Sequence, residues 1–262
     1  MSVFFLKIIV TVILVLTLSL VAEYVSPQVA GILAGFPLGA AIALFFIALE
    51  IGTDFASNSA IYTLIGLIAT QSFVYFYYQS TLHLRRFSIP ISSTISIVGY
   101  FMVIWLLHFL KINKWLSILF AVISIGCFVY LFRGIQNIKI QNRIELTGQV
   151  LFFRAFLAAF IILIITGAAK WVSPVWAGLF SAFPVTLFPL ILIVHFTYDK
   201  SHVHTIIKNF PRGIGALIVY SLAVSILYPM RGIYIGTLLS LMSATGYLFI
   251  YGFINVLMRV RR

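Results

Sequence analysis

Apolar residues fill this chain in long unbroken blocks, without the alternation of a half-buried strand or the one-sided stripe of a surface helix. A helix needs about 20 consecutive apolar residues to cross a bilayer core. Nine such blocks can be drawn, at about 4–22, 27–50, 58–78, 88–110, 115–133, 150–169, 174–198, 211–229 and 231–257. The boundary near Pro229 and Met230 is the weakest, and polar residues collect over 134–149. The pattern predicts an all-α, polytopic membrane bundle of about nine transmembrane helices. The first block reads as a span and not as a signal peptide, because no small-x-small cleavage site leads into a soluble domain.

The blocks repeat. An offset of 147 residues lays Val25, Ser26, Pro27, Ala30, Gly31, Phe36 and Pro37 on Val172, Ser173, Pro174, Ala177, Gly178, Phe183 and Pro184. The same offset lays Lys7 on Arg154, and Ser93, Ser96, Gly99 and Tyr100 on Ser240, Ser243, Gly246 and Tyr247. Apolar composition alone produces local look-alikes but not a constant register, so the chain reads as an internal duplication. Residues 1–110 form one repeat of four spans, 111–146 a connector helix and linker, and 147–262 the second repeat of four. Five crossings separate each element from its copy. An odd number turns the second half over, which predicts a 4+1+4 inverted repeat.

Composition agrees. With 63% hydrophobic and 8% charged residues and a mean hydropathy of +1.15, polar surface is too scarce to cover a water-soluble globule. The net charge of +12 raises nucleic acid as a partner, but the basic residues lie in short loops and at the C-terminus, where membrane topology places them. No nucleic-acid partner is expected. With the N-terminus outside, eleven Lys and Arg fall on the cytoplasmic side and six in spans or outside, which predicts a cell-membrane protein with a cytoplasmic C-terminus. The single Cys127 excludes a disulfide framework and a cysteine metal site.

Candidate chemistry sits in the repeated motif. Ser26 and Ser173 stand where helix N-caps belong and Pro27 and Pro174 where first turns begin. Ten residues on, roughly 15 Å deep, come Phe36-Pro37 and Phe183-Pro184. A mid-helix proline frees backbone carbonyls at that depth, which membranes tolerate only where protein or a water-filled cavity meets them. The pair therefore marks either a crossing of two kinked helices or a central pocket. Lys7 and Arg154 are matched cations inside the first helix of each repeat; each either snorkels to the headgroups or binds an anion. Ser96 with Tyr100, and Ser243 with Tyr247, lie on helical faces that pack or line the pocket. The carboxylates Glu23, Glu50, Asp54, Glu145 and Asp199 all fall at span ends or in loops, and Glu50, after a long apolar run, is the only one held as a weak coupling site. His195 reads as an interfacial histidine that either titrates near neutral pH or is hydrogen-bonded, and His202 and His204 with Asp199 make too weak a cluster for a metal site. No metal, cofactor or enzyme motif is found.

Each half resembles the small GlpM-type membrane proteins of about four spans. The likeness rests on the early lysine of Leu6-Lys7, on Ala177-Gly178 through Phe183-Pro184, and on the basic residue of Arg212-Gly213-Ile214-Gly215. It implies a membrane-embedded fold built from repeats and a fused version of a protein that otherwise pairs with itself, with a homodimer as one outcome. The first half departs from it, with no basic residue before Ile65-Gly66.

These readings predict a secondary transporter or flippase that works by alternating access in the lipid bilayer. A small anionic solute or lipid headgroup would bind near the two Phe-Pro breaks. The alternative is a scaffold or assembly factor whose repeats only pack.

Overall fold

The apolar blocks become helices because nothing else in them can satisfy the backbone without water. The structure, a computed structural model, describes residues 2–23, 27–84, 87–110, 112–138 and 147–260. In order the helices are α1 Ser2–Glu23, α2 Pro27–Ala34, α3 Leu38–Glu50, α4 Thr53–His83, α5 Ser88–Leu107, α6 Lys114–Leu131, α7 Gly148–Ala168, α8 Pro174–Ser181, α9 Leu187–Thr197 and α10 Lys200–Val260. No strand occurs among the described residues. Ser26, Arg85, Arg86, Glu145 and the linker stretch 139–146 lie outside them, as does the side chain of Glu23.

Six helical stretches among the described residues are long and apolar enough to cross a membrane: Gln28–Glu50, Thr53–His83, Ser88–Leu107, Lys114–Leu131, Gly148–Ala168 and Lys200–Phe253. The protein is thus a helical bundle of membrane type, but its helices are not the nine unbroken spans of the sequence pattern. Two blocks, 27–50 and 174–198, are each divided by their Phe-Pro pair. Two others, 211–229 and 231–257, belong to the single element α10.

That element is a hairpin. A straight helix of its 61 residues would be about 90 Å long. Instead the chain turns at Gly232, whose φ of 74° and ψ of −177° fall in a region that essentially only glycine occupies. Tyr228 Oη lies 2.8 Å from Thr237 Oγ1 across the turn, and Tyr247 lies against Gly215. The turn comes just after the expected break, because Pro229 still fits within the helix while Gly232 supplies the backbone angles.

Packing trades elements between the halves. α4 and the first arm of α10, residues 200–231, lie together at the centre, with α8 against α4, α2 against α10, and α1 against α7. The contacts recur at the offset seen in the sequence. A Cβ on Gly31 would lie 2.5 Å from the carbonyl oxygen of Ile206 on α10, and one on Gly178 would run into the carbonyl of Ser59 on α4. Ser59 and Ile206 are themselves 147 positions apart. Gly213 meets Gly35 at one crossing between the halves, as Gly66 meets Ala182 at the other. Small residues at these points bring backbones close enough for dense packing, which holds helices together where no hydrophobic effect operates between them.

Candidate functional site at the two helix breaks

Both Phe-Pro pairs open the helical ladder in the same way. Leu38 N donates to Phe36 O at 2.9 Å and Ala41 N to Pro37 O at 2.7 Å; Val185 N donates to Phe183 O at 2.7 Å and Phe188 N to Pro184 O at 2.8 Å. Proline has no N–H to give, so carbonyls in the preceding turn need other partners.

Those partners come from outside each broken helix. Thr70 Oγ1 donates to Ala182 O at 2.5 Å and Tyr100 Oη to Leu179 O at 2.5 Å, and Thr63 Oγ1 adds a bond at 3.1 Å to Gly178 O, which also accepts from Ala182 N. All three belong to the first half and serve the break of the second. In return Thr186 Oγ1 donates to Ala34 O at 3.3 Å. Thr63 and Thr70 are seven residues apart on α4 and share a face. That spacing of two hydroxyls inside an apolar block is the signal of these donors that the sequence carries, outside the repeated motif.

Between the breaks lies a cavity of about 20 Å³, lined by Phe36, Pro37, Phe183 and Pro184 with Thr70 and Thr186 among its walls. It has room for roughly one water molecule. The Phe183 ring packs edge-on against Tyr100, with centroids 5.1 Å apart. The other residues of the expected pocket are not brought here. Ser96 turns its hydroxyl back to Ser92 O, Ser243 is exposed and bonds Leu239 O, and Tyr247 stacks on Tyr251.

The matched cations differ in their surroundings. Lys7 is 5% exposed and its Nζ lies 2.6 Å from Glu50 Oε2. The other carboxylate oxygen of Glu50 lies 3.1 Å from Lys170 Nζ, a partner the sequence reading did not foresee. Arg154 is 3% exposed. Its Nε has no hydrogen-bond partner, and no carboxylate pairs with it among the described residues.

A second polar group gathers where α9 meets α10. His195 Nδ1 lies 2.9 Å from Tyr77 Oη and His204 Nε2 lies 2.8 Å from Thr81 Oγ1, which ties both histidines to α4. Asp199 Oδ1 accepts from Ser201 N at 2.8 Å and from His202 N at 3.2 Å, capping α10. Burial raises the Asp199 pKa, but the hydrogen bonds from His202 and Ser201 outweigh it and hold the carboxyl below its usual value. No cluster with the composition of a metal site occurs among the described residues. Arg212 Nη1 donates to Asn209 Oδ1 at 2.9 Å, away from Arg154 in sequence and on a different helix.

These features define a membrane-type helical bundle organised around two discontinuous helices. No family model, curated protein or solved structure matches the chain.

Proposed function

We propose that this protein is an integral membrane secondary transporter or flippase that moves an anion by alternating access, with its two broken helices as the moving parts. The observation that carries this reading is Arg154, a buried guanidinium without a carboxylate partner among the described residues. A charge held inside apolar helices is expensive unless something neutralises it, and such residues characteristically mark substrate paths. Guanidinium geometry suits the paired oxygens of phosphate or carboxylate. Lys7, already neutralised by Glu50, then serves as an anchor, and Arg154 as the anion site.

In this reading the helical stretches make nine crossings. α2 with α3 counts as one, α8 with α9 as another, and each arm of α10 as one more. The halves are then inverted copies, each corresponding to one GlpM-type protein, with the N-terminus outside and the C-terminus inside. The cavity between the breaks is the closed form of a site that opens to each face in turn.

The small size of that cavity favours a second reading, a scaffold in which the breaks only pack. One experiment separates the two. Ser181, fully buried at the edge of the cavity, is replaced by cysteine in a Cys127→Ala background and reconstituted in vesicles. Alternating access predicts labelling by a membrane-impermeant thiol reagent from each side, and no labelling from either side leaves only the scaffold. Glu23 offers a further check, since it is the offset counterpart of Lys170. If Glu23→Gln destabilises the protein as strongly as loss of Glu50, Arg154 is neutralised within the chain and the anion site falls.

A further inference from the structure

Two grooves on the flanks of the bundle obey the same offset as the repeats. One, of about 320 Å³, runs between α5, α7 and the second broken helix; its lining includes Phe101, Ile161, Ile164 and Phe183 and presents no polar surface. The other, of about 450 Å³, is lined by Leu248, Leu14, Thr17 and Phe36 among others. Each residue of the second set stands 147 positions from its counterpart in the first. Each groove therefore runs from the first helix of a repeat to that repeat's Phe-Pro break. Both are open along the flank of the bundle, where Phe101, Ile164 and Phe249 are about half or more exposed.

The grooves also have heads. On α7 the residues Leu157, Ile161, Ile164 and Ala168 line the first groove. Continuing that stripe back by three residues reaches Arg154, since spacings of 3, 7, 10 and 14 keep one face of a helix. On α1 the same stripe runs from Lys7 through Leu14 and Thr17. The two grooves correspond in part of their lining and differ in the charge at their heads. The cation above one is neutralised by Glu50, and the cation above the other is buried with no counter-charge among the described residues.

We propose that the occupant is an anionic lipid, held with its phosphate at Arg154 and a hydrocarbon chain along α7 as far as Phe183. This rests on the transport reading above and narrows it from any anion to a membrane lipid. A wall without polar surface gives a soluble anion nothing to bind beyond the guanidinium, while it suits an acyl chain along its length. The volume is in the range of sites that hold small molecules. The matched groove on α1, without a free cation at its head, takes the chain in the opposite leaflet and releases the headgroup. A lipid can then change leaflets while its chain stays against protein at both ends of the movement.

The test uses the full chain in an uncharged detergent, with dioleoyl phosphatidic acid as the probe and binding read by native mass spectrometry. Dioleoylglycerol and glycerol 3-phosphate supply the chain without the charge and the charge without the chain. The expected result is that phosphatidic acid binds at least about tenfold more tightly than dioleoylglycerol, and that glycerol 3-phosphate does not displace it. Arg154→Ala should weaken binding roughly ten- to a hundredfold, the range for losing a charge-assisted hydrogen bond, and Arg154→Lys should retain most of it. Ile164→Trp, at an exposed position that fills the groove, should weaken binding while the protein still elutes as a folded species. If glycerol 3-phosphate competes as well as the lipid, or Ile164→Trp binds normally, the lipid assignment is overturned while an anion transporter stands. Unchanged binding in Arg154→Ala overturns both.

Discussion

Lys7 on α1 and Glu50 at the end of α3 meet at 2.6 Å, with side chains only 6% and 13% exposed. Removing one partner of a buried pair strands the other charge, at about 3–5 kcal/mol. Glu50→Gln should therefore lower the thermal midpoint of the detergent-solubilised protein sharply. The double variant Lys7→Met with Glu50→Leu should recover most of the loss, since matched apolar replacement of an ion pair is often neutral. A Glu50→Gln protein as stable as the parent would show that the pair contributes nothing.

The hydroxyl donors at the second break should each be measurable. Thr70→Val removes the partner of Ala182 O and Tyr100→Phe that of Leu179 O. An orphaned buried carbonyl costs roughly 1–3 kcal/mol. Both variants should melt lower than the parent, and Thr70→Ser should stay near it.

Close approach of α8 to α4 and of α2 to α10 predicts equal sensitivity at two distant positions. Gly178→Leu and Gly31→Leu each place a side chain against backbone carbonyls that cannot move aside. Overpacking of this kind costs about 1–3 kcal/mol or more. Both should reduce the yield of folded protein on size-exclusion chromatography; tolerance of leucine at either site would contradict the crossing geometry.

Two glycines should respond in opposite directions. Gly232→Val forces a branched residue into a conformation that costs of order 1–3 kcal/mol, so it should destabilise the α10 hairpin. Gly126, in the exposed face of α6 with open space around it, should gain about 0.5–1 kcal/mol as alanine. Denaturation midpoints of the two single variants read both signs.

The proposed nine crossings put the α5–α6 turn and the segment after α6 on opposite faces. Leu110→Cys and Gln136→Cys, both exposed positions, should react with an impermeant maleimide from opposite sides of sealed vesicles in a Cys127→Ala background. Reaction from the same side would exclude the inverted arrangement.

Much of this architecture was legible from periodicity. The offset between Gly31 and Gly178 in the sequence is the offset between their contacts with Ile206 and Ser59, because a duplicated helix brings its packing face with it. The Phe-Pro breaks were legible for the same reason, since proline acts on its own backbone whatever surrounds it. What could not be read is what lies opposite. Lys7 and Arg154 are equivalent by offset, but Glu50, 43 residues from Lys7, pairs with Lys7 alone of the two among the described residues. Thr70 and Ala182 are 112 residues apart, and no local pattern announces a hydrogen bond over that span. The turn of α10 falls at Gly232 and not at Pro229, because the helix accommodates the proline while the turn needs backbone angles that favour glycine.

At the breaks, Thr63, Thr70 and Tyr100 all donate from the first half to the second, and among the described residues only Thr186 answers. At the offset positions of the two threonines the second half carries Phe210 and Leu217, which have nothing to donate. Two copies of the second half could reproduce the crossing of the helices, yet Ala182 O would meet Leu217 in place of the Thr70 hydroxyl in both. Likeness between the halves is thus not interchangeability: one half is the keeper of the other's backbone, and the ward cannot stand in for its keeper.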